Sequence, residues 1–138
     1  MIKEEKELLI KDLCGRLLYG VKVKVSDNDI LRYDTEHGVL YGKENMDNDD
    51  FVIKCHNDSW LISCEGFKSY LRPISSMAEE EREEANKLWD IVTKTRNDLH
   101  YLYTDFLLSH HLDYRGLISM GLALEAPEGM YKISDNTI

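Results

Sequence analysis

The segment His110-His111-Leu112-Asp113-Tyr114-Arg115 holds the chain's densest set of groups able to move protons or bind a metal. Imidazole and carboxylate do both. One reading is therefore a metal-assisted or hydrolase-like enzyme centred on His110, His111 and Asp113. The spacing argues otherwise. Neighbouring helical residues point about 100° apart, so two adjacent imidazoles share one ion only where a helix ends. A structural reading uses every group. His110 and His111 close a helix, whose terminal carbonyls favour imidazolium. Asp113 caps the next helix, and Arg115 is its ion-pair partner. The expectation is a structural corner, with no catalytic residue, no metal and no cofactor.

Other polar groups have similar double readings. Tyr70 and Arg72, just before Pro73, could form a recognition patch between sheet and helices, or Pro73 fixes the crossing and Tyr70 packs. Cys55 and His56 alternate to opposite faces of a strand, which spoils a metal set with Cys64. Cys14, Cys55 and Cys64 are the three cysteines; their number is odd and no C-x-x-C occurs, so they read as small buried hydrophobes. The run Glu79-Glu80-Glu81-Arg82-Glu83-Glu84 is an acidic docking surface, part of a nucleic-acid mimic, or a solvated helix face. Asp47-Asn48-Asp49-Asp50 lacks the spacing of a calcium loop. No nucleophile elbow, P-loop or dinucleotide glycine pattern occurs.

A chain of 138 residues, 43% hydrophobic and 31% charged, suits one domain with one core. Seventeen basic against 26 acidic residues give a net charge of −9. Such a surface disfavours direct nucleic-acid binding and anionic lipid, and is compatible with a basic protein partner or with plain solubility. No apolar run approaches a membrane span, and the charged start reads as cytoplasmic rather than secretory. Oligomeric state is not legible.

The elements that must position these groups follow from periodicity. Residues 2–14 read as a helix with Leu8, Leu9 and Leu13 on its stripe, Asp12 as a polar interruption and Gly15 as C-cap. Val21-Lys22-Val23-Lys24-Val25 alternates as a half-buried strand. Ile30–Tyr33 and Val39–Gly42 read as a hairpin around Asp34–Gly38, with Tyr33 opposite Val39. Phe51–Cys55 and Trp60–Cys64 read as a second hairpin turning at Asn57-Asp58. That turn pairs Cys55 with Trp60, Ile53 with Ile62 and Phe51 with Cys64, six apolar side chains on one face, packed against the helical half. Glu65–Ser75 reads as an irregular crossing. Ser76 and Glu79 form a capping box before a helix whose stripe is Ala85, Leu88, Trp89 and Val92. The polar run Thr93–Asp98 predicts a break, and a shorter helix then ends near His111. A last helix runs from Asp113 to about Ser119 or Met120, Leu122–Leu124 is extended, and Ala126–Gly129 is a turn. The fold class is α+β: N-terminal helix, small curled antiparallel sheet of the SH3-like partial-barrel kind, then a mainly helical half over residues 65–138, all one domain.

Tyr70-Leu71-Arg72-Pro73-Ile74-Ser75-Ser76-Met77, His110–Ile118 and Gly121-Leu122-Ala123-Leu124-Glu125-Ala126-Pro127-Glu128-Gly129-Met130-Tyr131 resemble a group of uncharacterised small proteins of gut anaerobic bacteria and their prophages. The opening Glu4–Cys14 and Tyr19–Val25 resemble the same group. The leading reading is a non-enzymatic accessory or interaction protein of prophage type, which binds another protein through its small sheet and acidic helix. The resemblance brings no activity and no catalytic residue. Residues 93–103 fit the pattern poorly, which also favours a break there.

Overall fold

The computed structural model describes residues 1–26, 36–55, 58–94 and 100–131. The elements are α1 (Lys3–Gly15), β1 (Lys22–Val25), β2 (His37–Gly42), β3 (Asp50–Cys55), β4 (Asp58–Ser63), β5 (Phe67–Leu71), a 3-10 turn (Ile74–Ser76), α2 (Glu79–Lys94), α3 (His100–Ser109) and β6 (Leu124–Glu125). The strands form one sheet in the order β4-β3-β2-β1-β5-β6. Every pairing is antiparallel except β5 with β6. The α+β class and the N-terminal helix are as read, but the sheet is mixed rather than purely antiparallel, and it does not close on itself.

Alternation decided β1 correctly. Val21, Val23 and Val25 are buried, while Lys22 and Lys24 face outward. The β3–β4 hairpin shows how a register can slip without moving a face. Cys55 pairs with Asp58, Ile53 with Trp60 and Phe51 with Ile62. Each partner sits two residues from the one expected from a turn at Asn57-Asp58. Side chains repeat with period two, so a two-residue slip leaves every residue on its expected face. Phe51, Ile53, Cys55, Ile62 and Cys64 are buried, and Trp60 packs against them partly buried. His56 and Asn57 lie outside the described residues.

Three expectations give way. First, β2 begins at His37, so Gly38 is a strand residue rather than the end of a loop. Val39 faces Lys22 on one side and Lys54 on the other, so both edges of β2 are taken. The expected partner strand Ile30–Tyr33 lies outside the described residues. Second, the supposed crossing after Glu65 contains β5, an interior strand paired with β1. Its pattern was masked because Ser69 occupies a buried position between Phe67 and Leu71. Third, residues 110–131 contain turns and the short β6 but no helix, so among the described residues the α-helix of the second half is confined to α2 and α3.

The helix break is real. Trp89 and Tyr103 rings lie 5.1 Å apart, whereas fourteen residues of one helix would separate them by roughly 21 Å. α2 and α3 therefore fold back on each other. They bury Ala85, Val92, Leu107 and Leu108 outside the main core; Trp89, expected on the packed stripe, stays half exposed. The inner sheet face is instead covered by Leu9 and Leu13 of α1 with Leu117, Leu122 and Ala123. α2 starts from Ala78, whose N–H donates to Glu81 Oε1 at 2.8 Å. That is the return half of a capping box, placed two residues beyond the Ser76–Glu79 pair; the Ser76 hydroxyl donates to Pro73 O instead. Gly15 ends inside α1, and Arg16 occupies its C-cap.

Gly38 is required by contact. A Cβ there would sit 2.7 Å from Cys55 Sγ, Ile53 Cγ2 and the Lys54 carbonyl oxygen, whereas one at Gly42 meets nothing within 4 Å. In urea unfolding, Gly38→Ala is expected to lose about 1–3 kcal/mol by overpacking. Gly42→Ala is expected to change stability by less than about 1 kcal/mol.

Candidate functional site

The expected site residues converge on the junction where β5, α2, α3 and the chain after α3 meet, but they do not form one cluster. Arg72 follows β5 and is buried. Its Nη1 donates to Glu81 Oε2 at 2.8 Å and its Nη2 to Glu81 Oε1 at 2.6 Å, a bidentate pair. The same guanidinium reaches the carbonyls of His110 and Ser76. The Arg72 backbone N–H donates to His111 O and its carbonyl accepts from Asp113 N–H. One residue thus fastens the sheet to the start of α2 and the end of α3.

Glu81 belongs to the acidic run read as solvated, yet it is buried, while Glu79, Glu80, Glu83 and Glu84 are exposed. Burial alone would raise its pKa. The hydrogen bonds from Arg72, the Ala78 N–H and His110, with the Arg72 charge, outweigh that and hold it at about 2. His110 Nδ1 lies 2.6 Å from Glu81 Oε2, and its ring stacks on Phe106 at 4.1 Å.

His111 turns away. It closes α3 at φ +61°. His111 N–H donates to Leu108 O and Leu112 N–H to Leu107 O. This is a Schellman ending with histidine in the left-handed position usually held by glycine. The His111 ring stacks on Tyr131 at 3.8 Å. Burial, then the charges of Arg16 and Arg72, push its pKa down to about 4. The expected imidazolium at a helix end is overturned here, because desolvation and two guanidinium groups outweigh the helix carbonyls.

Asp113 does cap, without a helix to follow. Its Oδ1 accepts from Leu117 N–H at 2.8 Å and its Oδ2 from Ile118 N–H at 2.9 Å. Arg115 pairs elsewhere than expected: its Nε donates to Asp12 Oδ1 at 3.0 Å. Asp12 also receives Arg16 Nε at 2.7 Å, and Arg16 Nη2 reaches Leu112 O at 2.8 Å. Asp12 and Arg16 are fully buried. Tyr70 stands apart, on the outer side of the sheet, with its hydroxyl 3.2 Å from His37 Nε2.

Among the described residues, no three His, Cys, Asp or Glu side chains gather where they could hold a metal ion, and no helix is long and apolar enough to cross a membrane. His110 Nδ1, both Asp113 oxygens and Arg115 Nε each have a backbone or ionic partner, whereas the buried His111 Nδ1 has none. No family model, curated protein or solved structure matches the chain.

Sequence reasoning turned Lys22 and Lys24 outward and offered the sheet as a binding element, but did not find the rows that β2, β3 and β5 add to them. Cross-strand pairing sets Lys22, Val39, Lys54 and Ser59 in one row, and His37, Lys24 and Lys68 in another. The four lysines and His37 are exposed. A groove of about 580 Å³ runs between them, lined by Lys22, Glu36, His37, Val39, Lys54 and Tyr70 among others. The signal was present as the alternate lysines of β1, but the unread β5 and the misplaced start of β2 hid the rest.

Two outcomes test the junction. Glu81 is held below its ordinary 4.5, so its contribution is complete above about pH 4.5 and is lost as pH falls towards 2. His111 is held below its ordinary 6.5, so the unfolded chain takes up a proton that the folded chain resists, and stability drops as pH falls from 6.5 towards 4. Unfolding free energy against pH should show both declines; His111→Phe should flatten the upper one and Glu81→Gln the lower. Separately, Asp113→Ala should cost about 1–3 kcal/mol. Asn keeps one acceptor and should restore part of it. Ser is too short to span both N–H groups and should restore little, which thermal melts of the three variants will resolve.

Proposed function

We propose that the protein is a non-enzymatic interaction domain of the prophage-accessory kind, and that it meets a protein partner through the outer face of its sheet. The observation that carries this reading is the unequal treatment of the two faces. The inner face is covered by α1 and residues 117–123, while among the described residues the outer face stays open, grooved and lined with cations. A solvated face needs no groove, and a sheet backed on one side only is a common platform for recognition.

The junction supports the same reading by being occupied with structure. Arg72, Glu81, His110, Asp12, Arg16, Arg115 and Asp113 spend their hydrogen bonds holding elements together. A catalytic set needs a base and a nucleophile or metal that converge on open space. His110 faces Glu81 and His111 faces Tyr131, so the two imidazoles diverge. The mimic reading wants one broad carboxylate stripe; on α2 the exposed glutamates are interrupted by Arg82 and by the inward Glu81.

A photo-crosslinking side chain at Ser59, beside Lys54 on the outer face, should yield a polypeptide adduct in cells, competed by excess unlabelled protein. The same group at Lys87, exposed on α2, should not. Absence of a competed adduct at Ser59, or a metal-dependent hydrolysis lost in a His110→Ala, His111→Ala double variant, would overturn the proposal.

A further inference from the structure

We infer that the groove on the outer sheet face receives an acidic, extended segment of the partner protein, its carboxylates meeting Lys22 and Lys54. This rests on the reading of that face as the interaction surface and names the chemistry of its occupant.

Charge complementarity is the first argument. The chain carries −9 overall, yet among the described residues the groove lining sets Lys22 and Lys54 against one carboxylate, Glu36. That carboxylate lies 3.8 Å from Lys24 Nζ and is thereby partly neutralised. Lys22 Nζ donates to the Met130 carbonyl at 3.2 Å. Lys54 Nζ sits over the Tyr41 ring, 4.2 Å from its centroid. Lys68 adds a further cation opposite Lys24. Among the described residues no carboxylate pairs with Lys22, Lys54 or Lys68. Lys22 and Lys54 are thus held in place with their charges uncancelled by any described carboxylate, which suits them to an incoming anion.

Geometry is the second argument. Lys22 on β1 and Lys54 on β3 are two strands apart, roughly 10 Å by the spacing of paired strands. A polyproline-II segment returns a side chain to the same side every third residue, after about 9 Å. Carboxylates three residues apart therefore match the two lysines. Val39 between them gives an apolar floor.

A nucleic acid fits the same face less well. Single strands bind by stacking bases on open aromatic rings. Tyr70 is 9% exposed and stacks on His37 at 6.0 Å, and Lys54 covers one face of Tyr41. The net negative charge also repels a long polyanion more than a short peptide that feels the local field.

The test is fluorescence anisotropy at low ionic strength, with a labelled peptide carrying glutamate at every third position in a proline and alanine background. The comparison probes are the same peptide with lysine for glutamate and a thymidine oligonucleotide of equal length. The glutamate peptide should bind, weaken with added salt, and lose about tenfold or more in affinity in Lys22→Glu, Lys54→Glu protein. Lys22→Gln, Lys54→Gln should lose less, and Lys87→Glu on α2 should bind as the unsubstituted protein does. Melting curves establish that each variant is folded. Failure of the glutamate peptide to bind, binding indifferent to Lys22 and Lys54, or tighter binding of the oligonucleotide would overturn the inference. A competed crosslink from Ser59 alongside such a failure would leave the face as an interaction surface and dismiss only its acidic occupant; loss of both would dismiss the two together.

Discussion

The bidentate pairing of Arg72 with Glu81 brings three pieces of chain to one point. Arg72 continues β5, Glu81 sits in the first turn of α2, and the carbonyl of His110, which Arg72 also binds, ends α3. Moving two such charges out of water costs several kcal/mol for each ion, and their attraction repays that only when geometry is good and the remaining lone pairs are filled. Here they are filled, by Ala78 N–H and by His110. The pair's value lies in what it forbids. Any other seating of the α2–α3 hairpin would leave a guanidinium or a carboxylate buried alone, which is far costlier than a lost apolar contact. The hairpin's buried Ala85, Val92, Leu107 and Leu108 lie outside the main core, with Leu108 against Gly15 of α1, and the ionic pair adds direction to that apolar contact.

A second buried network does the same for α1. Asp12 binds Arg16 on its own helix and Arg115 from beyond α3, while Arg16 reaches the Leu112 carbonyl. The main-chain bonds between Arg72 and residues 111 and 113 lie beside it. The segment after α3 is therefore clamped from both sides, by sheet and by helix. That explains how residues 112–123 cover part of the core without forming a helix. Backbone groups among them are met by Asp113, by Arg16 and by the parallel bridge to Arg72, as buried backbone requires.

What was legible in the sequence follows from this division. Apolar alternation depends on burial alone, so the faces of β1, β3 and β4 could be read, and a slipped turn did not spoil them because a shift of two residues preserves sides. The break between α2 and α3 was legible as a polar run. Buried ions were not. Asp12 looked like a flaw in an apolar stripe, and Glu81 like one glutamate among five. Position in a local pattern cannot tell a carboxylate facing water from one facing a guanidinium that lies 9 or 103 residues away. For the same reason the His-His-x-Asp segment looked more chemical than it is. Asp113 finds its partners locally, in Leu117 and Ile118, but His110 and Arg115 find theirs in Glu81 of α2 and Asp12 of α1, far away in sequence. The left-handed His111 carries no glycine to announce it.

Charge segregation links these constraints to function. The ionisable groups buried at the junction are neutralised by one another, so the field outside is set by exposed side chains. The exposed carboxylates of α2 lie on the helical hairpin, whereas lysines from β1, β3 and β5 share the outer sheet face. In a strand, alternate residues must leave the core together, so burying Val21, Val23 and Val25 compels Lys22 and Lys24 to stand side by side. Pairing then aligns them with Lys54 and Lys68. The cationic face is thus a direct consequence of the register that fills the core, and a change in that register by one residue would destroy both at once. The proposed recognition by this face and the stability of the domain are in that sense set by one choice of pairing.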